Sequence, residues 1–213
     1  AQDYKPIFDG NRGPNTGGMG SYSPVGFATP EVVDRVTEEV FNRLGEELRA
    51  SKQRYVGVIY AGLMLTIEGP KIIEFNCRFG DPETQALIPR FDSDLAKVMM
   101  ACVEGSLEGT KLSWSGSSCV SVVAASAGYP GNYETGKRIE GLEDAEEITG
   151  IPVFHAGTSR APNGPDGKIV TSGGRVVAVS ALGDDQPAAR GRAYEALSKI
   201  SFDGMTHRAD IAA

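Results

Sequence analysis

The residues best able to do chemistry lie in the run Ile72-Ile73-Glu74-Phe75-Asn76-Cys77-Arg78-Phe79-Gly80-Asp81-Pro82-Glu83. On a strand, alternate side chains share a face, so Glu74, Asn76 and Arg78 point one way while Ile73 and Phe75 point the other. Neighbours on one face stand roughly 6.5–7 Å apart at the backbone, close enough for a carboxylate and an amide oxygen to meet one hard cation. Mg²⁺ prefers oxygen ligands, takes one or two carboxylates, and fills its octahedron with phosphate oxygens and water. Arg78, two residues on, offers a planar donor fork suited to phosphate or carboxylate. A strand with one wet face would carry the same three residues, since short motifs recur by chance. The apolar run before it favours a central hairpin, whose polar face would then line a cleft.

A second candidate is Gly13-Pro14-Asn15-Thr16-Gly17-Gly18-Met19-Gly20. Glycines let backbone N–H groups approach an anion and form a nest. A flexible surface loop has the same composition. The directed hydrogen-bonding groups of Asn15 and Thr16 argue against a mere linker. The run from Gly131 to Lys137 matches seven positions of a phosphate-binding P-loop, but the eighth is Arg138, not the Ser or Thr that would hold Mg²⁺. Ile139-Glu140-Gly141 turns again at once, so it reads as a loop. His155 ends an apolar strand and reads as structural. Arg175 leaves a Gly-Gly turn, where closing a cleft and a surface ion pair both suit it.

The elements that must position these groups follow from pattern. Residues 9–20 read as loop. Thr29, Pro30 and Glu31 start a helix, with Val33, Val36, Val40, Leu44 and Leu48 on one face. Residues 55–66 are β-rich and nearly all apolar, which predicts a strand covered on both faces. A turn at Glu68-Gly69-Pro70 leads to a strand over 71–76, and the short connection makes the pair an antiparallel hairpin. Ser93 and Asp94 cap a helix that Gly105 stops. The small, polar stretch 105–118 then suggests a boundary. Beyond it come short strands at 119–125, 153–156, 168–171 and 175–181, and a helix over about 187–200. Turns separate them, including Gly128-Tyr129-Pro130-Gly131 and Asn163-Gly164-Pro165-Asp166-Gly167. The expectation is α/β over residues 1–113, then a small β-rich α+β module over 114–213.

The chain has 213 residues, enough for a large domain or two small ones, with an ordinary 40% hydrophobic and 23% charged residues. A net charge of −7 argues against nucleic acid, whose phosphates reward clustered Lys and Arg. No apolar run approaches the roughly 20 residues of a membrane span. The N-terminus has neither an apolar signal region nor an initiator Met, which suggests a chain processed or cut from something longer. Cys77, Cys102 and Cys119 are odd in number, lie in apolar stretches and lack metal-ligand spacing. They read as buried free thiols in a reducing cytoplasm.

Taken in order, Asp9-Gly10, Gly13 to Gly20, Tyr60-Ala61-Gly62-Leu63-Met64 and Ile73 to Gln85 resemble the glycinamide ribonucleotide synthetases. These phosphoribosylamine–glycine ligases belong to the ATP-grasp superfamily. Gly128 to Gly131, Val153-Phe154-His155-Ala156-Gly157-Thr158 and Gly173-Gly174-Arg175-Val176 are similar to the family's C-terminal domain. The resemblance implies the C-terminal half of an ATP-grasp domain followed by that small β-rich domain. It implies ATP as co-substrate, Mg²⁺ or Mn²⁺ on Glu74 and Asn76, and glycine joined to 5-phosphoribosylamine through an acyl phosphate. Arg78 and residues Asn15, Thr16, Gly17 and Gly18 would hold anions, with Arg175 helping to close the cleft. Arg78 and Asp81 would serve catalysis, and Asp81 and Glu83 would meet a substrate amine. Tyr60-Ala61-Gly62 carries no further carboxylate, so the metal shell would lean on nucleotide phosphates. Complete members begin with a Rossmann-like domain, a nucleotide lid and an adenine-contacting hinge, all before the residues matched here. The expected partners are therefore the small substrates and a missing N-terminal half, and the chain alone should be inactive. Two rival readings are another ATP-grasp ligase and a non-catalytic binding fragment.

Overall fold

The computed structural model describes residues 1–161 and 168–213, so the turn expected at 163–167 lies outside the described residues. Helices and strands are mixed, and every strand pairing among the described residues is antiparallel. The α+β expectation holds. The chain divides into two units: Ala1–Ser23 with Asp81–Phe91 and Trp114–Ala213, and Pro24–Gly80 with Asp92–Ser113.

The first unit is built on a six-stranded sheet. Its order is Gln2–Asp3, Gly20–Ser23, Ser118–Ser126, Arg175–Gly183 and Val153–His155, with Met205–Thr206 also on Ser118–Ser126. The two long strands are rich in Val and Ala, pair in register (Val179 with Val122) and are buried along nearly their whole length. Such continuous burial needs cover on both faces. The helix Gln186–Leu197 supplies part of it through Ala189, Ala193, Ala196 and Leu197. Its start is fixed by Asp185, whose carboxylate accepts from the Ala188 N–H at 2.8 Å.

Residues 9–20, expected as loop, are strand only at Arg12–Asn15, which pairs with Pro6–Phe8, and at Gly20, where Gly20–Ser23 enters the main sheet. The hairpin tip turns where Gly10 and Asn11 take positive φ (68° and 55°), a region open to Gly and tolerated by Asn, and residues 16–19 are irregular. In the P-loop-like run, Arg138 forms a β-bridge with Val170 instead of starting a helix.

In the second unit, Pro30–Val36, Thr37–Asn42 and Arg43–Ala50 form one helical run with a π-type middle turn, burying Val36 and Val40. Thr29 begins it without a side-chain cap bond. The helix Leu95–Glu104 follows its sequence signals: Asp94 accepts from the Lys97 N–H, and Gly105 ends it in the left-handed conformation. The hairpin pairs Tyr60–Thr66 with Gly69–Asn76, as the short connection predicts. Its faces are not both covered. Ile73 is 63% exposed and Phe75 43%, in a ribbon that pairs with no further strand among the described residues. The cysteines are all free, but only Cys119 is buried; Cys77 is exposed, in the turn just past the hairpin.

Candidate functional site

Two groups of polar residues emerge, one in each unit. The first is the ladder on the hairpin. Gly69–Asn76 is extended, so Glu74 and Asn76 fall on one face. Asn76 Nδ2 donates to Glu74 Oε1 at 3.1 Å, and Arg78 Nη2 donates to Asn76 Oδ1 at 3.3 Å. Arg78 also donates through Nη1 to the Phe79 carbonyl at 2.8 Å, which folds its fork back along the strand. Gly62 lies opposite Glu74 in the ladder, and a Cβ there would come within 3.1 Å of Glu74 Cγ. Glycine at 62 therefore leaves Glu74 its room.

The chemistry of this donor set suits a hard cation. It offers one carboxylate and one amide and no sulfur or imidazole, although here the amide turns Nδ2 to Glu74 and Oδ1 to Arg78, so a cation would need the amide reversed. Among the described residues no cluster of three or more His, Cys, Asp or Glu could hold a metal by itself. A cation here would have to complete its shell from phosphate and water.

The second group surrounds residues 15–18. Thr16 is fixed by two bonds to the Lys5 carbonyl, from its N–H at 2.8 Å and its hydroxyl at 2.7 Å. The Gly17 N–H donates to Tyr129 Oη at 2.9 Å, and the Gly18 N–H to Thr16 Oγ1 at 2.9 Å. These amides thus face protein partners, while the Asn15 side chain is exposed. At Gly18 only glycine fits: φ is +118°, and a Cβ would stand 2.3 Å from Pro82 Cδ and 2.6 Å from Asp3 Oδ1.

Arg175 ties this segment to Asp81. Its Nη1 donates to the carbonyls of Gly17 and Asp81, both at 2.9 Å, and lies 3.1 Å from the Asp81 carboxylate. Asp81 Oδ1 accepts from Gln85 Nε2 at 3.0 Å as well. Glu83 is buried at the start of the short helix Glu83–Leu87, and Ser21 Oγ donates to the Pro82 carbonyl at 2.7 Å. So Asn15, Thr16, Gly17, Gly18, Asp81, Glu83 and Arg175 fall within one unit, and Glu74, Asn76 and Arg78 within the other.

Two residues beside the second group escaped the sequence reading. Tyr129 holds Gly17, and nothing local announces it. Asp3 is the other: its side chain is 8% exposed, with Lys5 Nζ 2.5 Å from Oδ2. Burial pushes its pKa up to about 6, aided by the nearby Glu83 and opposed by Lys5 and Arg175. The alternation Asp3-Tyr4-Lys5 was the available signal, since it puts both charges on one face.

Comparison with known proteins places the chain. Residues 1–84 match the family model described as phosphoribosylglycinamide synthetase, ATP-grasp (A) domain, and residues 119–213 match the C domain of the same enzyme. A phosphoribosylamine–glycine ligase from Caldanaerobacter subterraneus subsp. tengcongensis is 48% identical over 213 residues, which is 100% of this chain and 49% of the relative. A crystal structure of the Thermotoga maritima phosphoribosylamine–glycine ligase superposes with a TM-score of 0.82 at 37% identity, over 99% of this chain and 50% of that one. The biotin carboxylase domain of the Hydrogenobacter thermophilus 2-oxoglutarate carboxylase shares the fold, with a TM-score of 0.53 at 16% identity over 89% of this chain and 40% of that one. The chain spans about half the length of the curated relatives it matches. Fold and family models together define part of an ATP-grasp ligase. Within that class, the chain belongs to the phosphoribosylglycinamide synthetase family.

Proposed function

We propose that this chain is the C-terminal portion of a cytoplasmic phosphoribosylamine–glycine ligase, which joins glycine to 5-phosphoribosylamine at the expense of ATP. The observation that carries this reading is the Glu74–Asn76 pair on one strand face, with Arg78, expected on that face, bonded to Asn76 from the bend just past the strand, within a chain that both family models match. Residues 1–113 would belong to the ATP-grasp domain and 114–213 to the C-terminal domain, a division that the matches at 1–84 and 119–213 support.

In this reading Glu74 and Asn76 would hold Mg²⁺ or Mn²⁺. The cation would neutralise charge on the transferred γ-phosphoryl group. Arg78 presents a fork for an anionic substrate group, and its donors gain strength wherever water is excluded. Asp81, anchored by Arg175 and Gln85, offers an acceptor to the substrate amine. Buried Glu83 beside it adds a second carboxylate to the same helix start. Residues 15–18 present Asn15 to a substrate anion from a backbone that Lys5, Tyr129 and Arg175 hold still. Attack of the glycine carboxylate on the γ-phosphate forms the acyl phosphate and releases ADP. The amine nitrogen then attacks the acyl carbon, and phosphate leaves.

The test is ADP release by the isolated chain given ATP, Mg²⁺, glycine and phosphoribosylamine, beside the complete ligase. The chain should fold and yet turn over far more slowly, because orientation and closure of the reactants need the remaining half. Turnover within about tenfold of the complete enzyme, ~1.4 kcal/mol in barrier, would sink the partial-enzyme reading.

A further inference from the structure

Residues 207–213, the tail, are stitched to the hairpin of Pro6–Phe8 and Arg12–Asn15 by side-chain and backbone bonds. Arg208 is fully buried and spends its guanidinium on four acceptor atoms. Nε and Nη2 donate to the two oxygens of Asp210 at 2.7 Å each, Nη2 also to Asn11 Oδ1 at 3.1 Å, and Nη1 to the Pro6 carbonyl at 3.0 Å. The guanidinium also stacks over Tyr4, 4.9 Å from the ring centre. The turn answers in kind. The Gly10 N–H donates to Asp210 Oδ2 at 2.8 Å, and Asp9 Oδ1 accepts from the Ala209 N–H at 2.8 Å. Arg208 and the Gly10 N–H hold the Asp210 carboxyl down at about 2, so this clamp stays charged throughout the physiological range.

The same N-terminal stretch carries residues 15–18 on its other edge. The Pro6 carbonyl goes to Arg208, while the Lys5 carbonyl takes both bonds from Thr16. Tyr4 accepts at its carbonyl from the Met19 N–H at 2.9 Å, and at its hydroxyl from the Ala212 N–H at 3.0 Å. A run of three residues, 4–6, therefore has the tail on one side and the Thr16–Met19 backbone on the other.

We infer that Arg208 and Asp210 are positioning residues: the tail at 207–213 sets the placement of residues 15–18, and through them the binding of the anionic substrate. This rests on the ligase reading for the identity of that substrate, but not for the coupling itself.

The test uses Asp210→Asn, with Arg192→Gln as the control. Arg192 braces the Leu182 and Thr149 carbonyls in the same unit and touches neither the tail nor residues 15–18. In the complete ligase, Asp210→Asn should raise KM for phosphoribosylamine about tenfold with a smaller change in kcat, at a temperature where it is fully folded. In the 213-residue chain it should speed amide exchange at Thr16, Gly17 and Gly18 by about tenfold, leaving Val122 and Val179 protected. Arg192→Gln should do neither at a comparable loss of Tm. If Asp210→Asn matches the control in both readouts, or changes exchange without changing KM, the tail is a structural brace and the inference is wrong. Should Asp210→Asn fail to fold, Asp9→Ala, which removes the bond to the Ala209 N–H and the Asp9 side chain's contact with Asp210, decides by the same criteria. If the complete wild-type protein shows no ligation, the ligase reading falls, and the exchange measurement alone decides the coupling.

Discussion

Arg175 and Asp81 are joined twice by a single nitrogen: Arg175 Nη1 meets the Asp81 carbonyl at 2.9 Å and its carboxylate at 3.1 Å. The same nitrogen holds the Gly17 carbonyl, so one guanidinium gathers three chain segments remote in sequence. A β-bulge follows Arg175 in its pairing with Ser118–Ser126, and bulges re-aim side chains in this way.

Replacing Arg175 by Lys keeps the charge and a multiple donor on one nitrogen, but the side chain is one atom shorter, so Nζ falls short of the acceptors that Nη1 reaches. The expected loss is about 1 kcal/mol, because Asp81 is 46% exposed and solvent screens these charge-assisted bonds. Trp114, the only tryptophan, sits in the same unit against Phe91 and reports its unfolding by fluorescence. An unchanged denaturation midpoint for Arg175→Lys would show that the clamp adds nothing.

Asp3 predicts an unusual pH slope. Its folded pKa of about 6 lies above the ordinary 3.8, so folding favours the protonated form. Its stabilising contribution is full below about pH 3.8 and is lost as pH rises to about 6, a change of up to ~3 kcal/mol. Lys5, Glu83 and Arg175 are the charged groups that act on it, and Lys5 and Arg175 moderate the effect. Asp210, with its pKa lowered to about 2, acts in the opposite sense, lending stability that is lost below about pH 3.8. Denaturant titrations between pH 4 and 7 should show Asp3→Asn gaining on the wild type as pH rises. Parallel curves would mean that Asp3 ionises without cost.

Arg78 separates a geometric from a merely electrostatic role. Its fork already donates to the Asn76 side chain and the Phe79 carbonyl, so the planar head is oriented along the ladder. Arg78→Lys in the complete ligase should lower kcat/KM about tenfold or more, because a point charge cannot grip an oxyanion bidentately. Equal kinetics for the two proteins would leave only a diffuse positive charge at this position.

What could be read from sequence was what local rules govern. Asp94 and Gly105 bracket their helix because a cap acceptor and a left-handed glycine act on adjacent backbone. The hairpin and the shared face of Glu74 and Asn76 follow from a two-residue period and a short turn. The hidden parts depend on distant partners. Gly20 fell within the expected loop at 9–20, yet Gly20–Ser23 pairs with Ser118–Ser126, Gly20 opposite Val122. Nothing near Gly17 announces Tyr129 or Arg175, and nothing near Asp9 announces Ala209. The strand expected at 55–66 with both faces covered begins only at Tyr60 and is nowhere fully buried, because apolar composition states a need for cover without naming the element that supplies it.

The metal assignment at Glu74 is the centre of the account, and Glu74→Gln in the complete ligase tests it most directly. The substitution keeps size and an acceptor for Asn76 Nδ2 but removes the ladder's only carboxylate charge. Glu74 is exposed, so the melting temperature should stay within a few degrees, as for most surface substitutions. Turnover measured across a Mg²⁺ titration should fall about a hundredfold or more at any single concentration, with half-saturation moved to higher Mg²⁺. A variant that keeps most of its turnover, with an unshifted Mg²⁺ dependence, would contradict the assignment.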